Sequence, residues 1–214
     1  EVDRDAFCRD LSLAEAGDVV IFHACCHNPT GADPDATLQD TVLSILARTG
    51  AVPLVDCAYL GFGDTPEADR AFLRRFSTLP EAMIAFSGSK SFGLYRERAG
   101  LALALSHTAQ DQALAQSTLA MLNRVSYSLP PDHGARVVTE ILQDPHLREM
   151  WETELSDIRS TLTRSRNDLA KALREHLQSA RFDGLATQKG MFSLLPLGAD
   201  RVTTLREDHG IYVV

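Results

Sequence analysis

Three short apolar runs, each followed by polar residues able to carry chemistry, constrain this chain more than any other feature. They are Val19-Val20-Ile21-Phe22, Val52-Pro53-Leu54-Val55 and Met83-Ile84-Ala85-Phe86. Continuous apolar runs of this length are what strands covered on both faces require. Between them the apolar residues change to helical spacing. Residues 3–14 read as a short helix broken at Gly17-Asp18, and Asn28-Pro29-Thr30-Gly31 is a turn by composition. Asp33-Pro34 then starts a helix, with Asp33 as N-cap and Pro34 at its first position. Leu38, Val42, Ile45 and Leu46 share one face of it, and Gly50 ends it. Residues 68–76 are predicted helical, Leu101-Ala102-Leu103-Ala104-Leu105 is a fourth strand, and residues 108–125 are a helix rich in Ala, Leu and Gln. Strands alternating with helices predict an α/β fold, a mostly parallel sheet with helices on both faces. Ligands of such sheets sit outside the carboxyl ends of the strands.

After Pro130-Pro131 the character changes. Residues 145–178 are polar and helical, with Leu147, Trp151, Leu155, Ile158, Leu162, Leu169 and Leu173 at intervals of mostly three, four or seven. At 1.5 Å per residue that helix is roughly 50 Å long, which suits a bridge between domains. Phe192-Ser193-Leu194-Leu195, a short helix near Val202 to His209 and the last apolar residues predict part of a smaller α+β domain. The expected organisation is therefore a large-domain core at 1–144, an inter-domain helix at 145–178 and a truncated small domain at 179–214. The chain opens on Glu1 and closes on the strand-like Ile211-Tyr212-Val213-Val214, so both ends read as cuts in a larger protein.

A net charge of −8 argues against nucleic acid or an anionic membrane surface as partner. No apolar run approaches the roughly 20 residues needed to cross a bilayer, and no basic start with an apolar stretch marks a secretory signal. Cys8, Cys25, Cys26 and Cys57 are too few for a disulfide scaffold and suit buried thiols in a reducing cytoplasm. The cluster His23-Ala24-Cys25-Cys26-His27 lacks a second Cys/His pair to close a tetrahedron. Adjacent cysteines on a strand also point to opposite faces, so no metal is expected.

The chemistry-bearing residues follow the strands. Lys90 lies in Ser87-Gly88-Ser89-Lys90-Ser91-Phe92-Gly93, flanked by small residues, with Arg98 eight residues on. A lone lysine after a strand is otherwise a solvated surface residue, whereas one that attacks an aldehyde must be held close and partly neutral. The hydroxyl of Ser87 and the guanidinium of Arg98 suit a bound phosphate. Asp56, at the inner end of a buried strand, is costly unless a cation or hydrogen bonds meet it. Two readings satisfy it: a protonated pyridine nitrogen, or backbone N–H groups of a turn before Ala58-Tyr59. Tyr59 can offer its hydroxyl to an oxygen on the same ring. Asn28 reads as a turn residue whose amide stands at the same rim.

Taken together, these residues resemble fold-type I pyridoxal-phosphate aminotransferases of the aspartate and aromatic amino acid group. The resemblance is carried by the stretch from Gly17 to Gly31, by Asp56-Cys57-Ala58-Tyr59-Leu60-Gly61-Phe62 and by Ser87 to Gly100. Tyr127 to Ala135, Trp151-Glu152-Thr153-Glu154-Leu155 and Gly190-Met191-Phe192-Ser193 extend it in register over nearly the whole chain. It implies that Lys90 carries pyridoxal 5′-phosphate as a Schiff base and shuttles a proton. It implies that Asp56 pairs with the pyridine nitrogen, that Asn28 and Tyr59 bond the ring oxygen, and that Ser87 and Arg98 hold the phosphate. Asn28 also faces substrate in this scheme, and Arg124 matches an arginine that grips a dicarboxylic substrate in the neighbouring subunit's site.

The same resemblance implies a cytoplasmic homodimer acting on small amino and 2-oxo acids. The amino group of an aromatic amino acid or aspartate would pass to 2-oxoglutarate, with Pro130-Pro131-Asp132-His133-Gly134 leaning to the aromatic side. Leu60, Ser91, Arg96 and Leu129 depart from the family pattern without removing a catalytic group. The family's phosphate loop, ring-stacking aromatic and phosphate-binding tyrosine are expected upstream, and its α-carboxylate arginine beyond Val214. This stretch alone is expected to be weak or inactive. The alternative reading is a non-catalytic aminotransferase-like module that senses a ligand.

Overall fold

The computed structural model describes residues 2–213. Strands β1 (Val19–His23), β2 (Val52–Cys57) and β3 (Glu81–Ser87) lie side by side and parallel, and β4 (Gly100–Ser106) closes the sheet antiparallel to β3. The register sets His23 opposite Asp56, Asp56 opposite Ala85 and Ser87 opposite Gly100. A mostly parallel sheet is thus what forms, with its one antiparallel pair between β3 and β4, which are joined through residues 88–99.

Helix α1 (Arg4–Leu11), α2 (Ala36–Thr49) and α3 (Pro66–Arg75) complete this half of the molecule. The predicted face of α2 is buried through Leu38, Val42, Ile45 and Leu46, against Phe22, Val55, Phe72 and Phe76. Each such side chain contributes about 1.5–3 kcal/mol by leaving water. The N-cap of α2 is Asp35, which accepts from Leu38 N at 3.0 Å, and not Asp33. Asp33 is drawn away because the turn after β1 needs an acceptor. Its carboxylate takes the N–H groups of Cys26 at 2.8 Å and His27 at 3.0 Å.

One expectation fails at β1. Val19 is 52% exposed and Ile21 67%, so this strand is not covered on both faces. Among the described residues it pairs only with β2, and its apolar run serves one buried face through Phe22.

Beyond the sheet, α4 (Gly88–Ser91) is a single turn and α5 (Ala109–Tyr127) buries no residue. A helix that sequence reading did not anticipate, α6 (His133–Gln143), precedes α7 (Pro145–Leu177), the predicted long helix of 33 residues. A 3-10 segment (Ala180–Thr187) then packs on α7, and α8 (Ala199–His209) follows. Among the described residues 179–213 form helix and turn, with no strand; Val214 lies outside the described residues.

Helix α7 is a brace for the loops at the sheet's rim. Trp151 stacks on Phe92 with 4.6 Å between ring centroids and donates its indole N–H to Ser91 O at 2.6 Å. Leu155 is buried against Gly61, and Arg159 donates to Gly61 O at 3.0 Å. Gly61 has φ +93°, and a Cβ there would stand 2.4 Å from Leu155 Cδ2. Gly184, in the 3-10 segment, has nothing within 4 Å of such a position. Gly61→Ala is therefore expected to cost about 2–4 kcal/mol, from backbone strain plus overpacking. Gly184→Ala should stay within about 0.5 kcal/mol of wild type. Urea unfolding of both variants checks the difference.

Candidate active site

Each parallel strand ends in a segment that presents polar groups to a common rim. The turn after β1 is tied down by Asp33 and by a 2.7 Å contact between His27 Nδ1 and Thr30 Oγ1, and it presents Asn28. The Asn28–Pro29 peptide is cis. The end of β2 supplies Asp56 and, after one tight turn, Tyr59. The end of β3 supplies Ser87, whose hydroxyl accepts from Ser89 N at 3.2 Å and starts α4, which carries Lys90.

Tyr59 is the hub. Its ring is buried, with only 5% of the residue exposed, and Lys90 Nζ stands 5.0 Å from the ring centroid. Asn28 Nδ2 donates to its hydroxyl at 3.2 Å. Phe192 meets it edge-on, with centroids 6.2 Å apart. The two loops are stitched together by Ser91, whose hydroxyl donates to Leu60 O at 2.8 Å.

Asp56 is half-buried. Its Oδ1 accepts from Ala58 N at 2.9 Å, so the carboxylate does cap the turn before Tyr59. Its other oxygen takes no hydrogen bond among the described residues. Arg98, with φ +53°, approaches the same loop from β4 and donates through Nη1 to Ser89 Oγ at 3.4 Å and to Tyr95 O at 3.2 Å. Ser87, Ser89 and Arg98 thus form one chain of polar groups. Ser89 was missed in the sequence, as was Phe192's contact with Tyr59. The signal for Ser89 was its place between Gly88 and Lys90. Arg124 stands apart: it is exposed on the last turn of α5 and makes no hydrogen bond or ion pair with the other site residues.

The titration behaviour follows from this packing. Burial pushes the Tyr59 phenol above its ordinary value, the Asn28 hydrogen bond pulls it down, and the Asp56 carboxylate pushes it up again. Burial, with Asp56 adjacent, pushes the Cys57 thiol up to about 12. Burial lowers His27, with His23 beside it acting in the same sense.

The cysteines depart from expectation. Strand β1 ends at His23, and Cys26 has φ +55°, so Cys25 and Cys26 do not alternate across a sheet. Both sulfurs face the Tyr59 carbonyl, at 3.5 and 3.9 Å.

The pattern of the aminotransferase class I and II family matches residues 1–214, and the chain belongs to that family. It is 47% identical to the aromatic-amino-acid aminotransferase of Paracoccus denitrificans over 214 residues, all of this chain and 54% of that protein. It is 43% identical to the aspartate aminotransferase of Escherichia coli K12 over all of this chain and 54% of that one. A solved aromatic-amino-acid aminotransferase from Burkholderia pseudomallei, covalently bound to pyridoxal phosphate, superimposes with a TM-score of 0.95 at 37% identity. That match covers all of this chain and 54% of the solved one. The chain thus spans about half the length of the relatives it matches.

The Tyr59 environment gives a signed prediction. An N–H donated to a phenol oxygen favours the phenolate. Asn28→Ala removes the donor, so it should raise the Tyr59 pKa further. Ultraviolet titration, with Tyr59→Phe subtracted to isolate this ring, should show a later phenolate transition in the variant.

Proposed function

We propose that the protein containing this chain is a pyridoxal-phosphate aminotransferase, with Lys90 as the lysine that carries the cofactor. It moves the amino group of an aromatic amino acid or aspartate to 2-oxoglutarate. The observation that carries this reading is the Lys90 amine poised over Tyr59, whose hydroxyl already receives the Asn28 amide.

The donor set fits the cofactor. There is an amine for an aldehyde, a carboxylate oxygen without a hydrogen bond for a protonated ring nitrogen, and an amide with a phenol for a ring oxygen. Two hydroxyls and a guanidinium suit a phosphate dianion. When bound, pyridoxal phosphate supplies an electron sink that stabilises negative charge at the substrate's α-carbon.

The chain's own residues then have separable tasks. Lys90 moves the α-proton as general base and acid. Asp56, with Oδ1 occupied by Ala58 N, uses its other oxygen to hold a proton on the ring nitrogen. Asn28 and Tyr59 fix the ring's orientation, and Asn28 borders the substrate. Ser87, Ser89 and Arg98 anchor the phosphate. Phe192 shields Tyr59 from water on one side.

We extend the proposal to a cytoplasmic homodimer in which Arg124 reaches the neighbouring site and grips a substrate carboxylate. Its support is the surface of α5, where Met121, Leu122 and Val125 are exposed near Arg124 and Leu114 is exposed further back along the helix. The four cysteines are free, as a reducing compartment keeps them.

Incubating the protein with pyridoxal phosphate should give a visible absorption band. Borohydride reduction and peptide mass spectrometry should place the adduct on Lys90. Lys90→Ala should abolish both, and transamination by the whole protein should fall by about 10³-fold or more. An adduct on another amine, such as Lys189, sinks the assignment. Binding on Lys90 without turnover by the whole protein supports the ligand-sensing alternative.

A further inference from the structure

Two buried thiols and a buried carboxylate converge beneath the backbone of Tyr59. Cys25, Cys26 and Asp69 are 7%, 3% and 6% exposed, and one ligand atom from each lies within 4.8 Å of the others. The left-handed Cys26 turns both sulfurs toward the Tyr59 carbonyl. Asp69 is fixed by three backbone donors, Gly61 N at 2.7 Å, Gly63 N at 3.0 Å and Asp64 N at 2.9 Å. Gly190 roofs the cluster, since a Cβ there would come 2.5 Å from Cys26 Cβ.

Arg166 holds the Gly190 roof of this cluster. This guanidinium is only 9% exposed, yet its hydrogen bonds go to the neutral acceptors Ser193 Oγ and Gly190 O. Among the described residues it has no carboxylate partner.

We propose that Cys25, Cys26 and Asp69 form a binding site for a thiophilic divalent cation of the zinc and cadmium class, with the Tyr59 carbonyl as fourth donor. Two S–H bonds break, two metal–sulfur bonds form, and two protons leave to solvent; nothing is oxidised or reduced. Thiolates select such ions over hard cations. A tetrahedral centre with bonds of about 2.0–2.3 Å holds its ligand atoms roughly 3.3–3.8 Å apart, so a contraction of about 1–1.5 Å closes this one.

The charges balance. The free cluster holds one carboxylate beside one guanidinium. The occupied cluster holds two thiolates, a carboxylate and a dication, again a single negative charge beside Arg166. The exchange therefore adds no net charge to the interior.

The test titrates the reduced protein with cadmium chloride, following the ultraviolet thiolate-to-metal band and the fluorescence of Trp151, the only tryptophan, which packs on the same cluster. One ion per chain is expected. Cys25→Ser and Cys26→Ser should each weaken binding by about 100-fold or more, and Asp69→Asn by about 10-fold or more. Cys8→Ser should leave it unchanged. Loss of the band with Cys8→Ser, or its survival in folded Cys25→Ser and Cys26→Ser, overturns the proposal. If those variants fail to fold, X-ray absorption on the cadmium-loaded wild type decides: two sulfur neighbours support the site, and fewer reject it.

Discussion

Parallel pairing in a common register sets His23, Asp56 and Ala85 abreast, and the rest of the molecule is arranged around where those strands stop. A parallel pair cannot be closed by a hairpin, so α2 and α3 must cross over and their apolar faces must cover the sheet. The covering helices fix the strands' depth, and the strand ends then leave backbone groups without sheet partners at one rim. Each loop beyond that rim is held by a side chain instead: Asp33 after β1, Asp56 and Asp69 after β2, Ser87 after β3. A functional rim is a consequence of topology before it is a matter of chemistry.

The carboxylates at this rim are not equivalent. Asp69 accepts three backbone hydrogen bonds, each to a charged acceptor and worth about 1.5–3 kcal/mol. Asp33 spends its two oxygens on two N–H groups. These are clamps. Asp56 satisfies one oxygen and leaves the other, while standing half-buried beside a ring whose proton it helps to retain. Asp56 therefore differs from Asp33 and Asp69 in keeping one oxygen without a hydrogen bond among the described residues.

Much of this was readable in the sequence because it rests on local pattern. The face of Leu38, Val42, Ile45 and Leu46 needs only helical spacing, and the strand ends that deliver Asp56 and Ser87 need only apolar runs with polar stops. What escaped depends on partners far along the chain. Asp33 and Asp35 look alike as caps, and the choice is made by the unsatisfied N–H groups of Cys26 and His27. Ile21 reads as doubly buried, yet an edge position is a property of the sheet and not of the run. The two sulfurs share a side because of one left-handed residue, Cys26, which residue identity does not announce. Arg124 was assigned by resemblance to the neighbouring subunit's site, and in this chain it is exposed on the last turn of α5.

The long helix explains why separate loops can act as one site. Trp151, Leu155 and Arg159 recur every fourth residue, so they lie on one face of α7. They grip Ser91 with Phe92, Gly61, and the Gly61 carbonyl. Further along the same helix, Arg166 holds Gly190 and Ser193, and Lys189 N in turn bonds Gly31 O at 2.8 Å. One helix therefore touches the segments carrying Lys90 and Tyr59 directly, and the segment carrying Asn28 through residues 189–193. A movement of α7 displaces these loops together. The 5.0 Å separation of amine and ring and the 3.2 Å bond from amide to phenol are thus properties of a braced assembly, not of three independent turns.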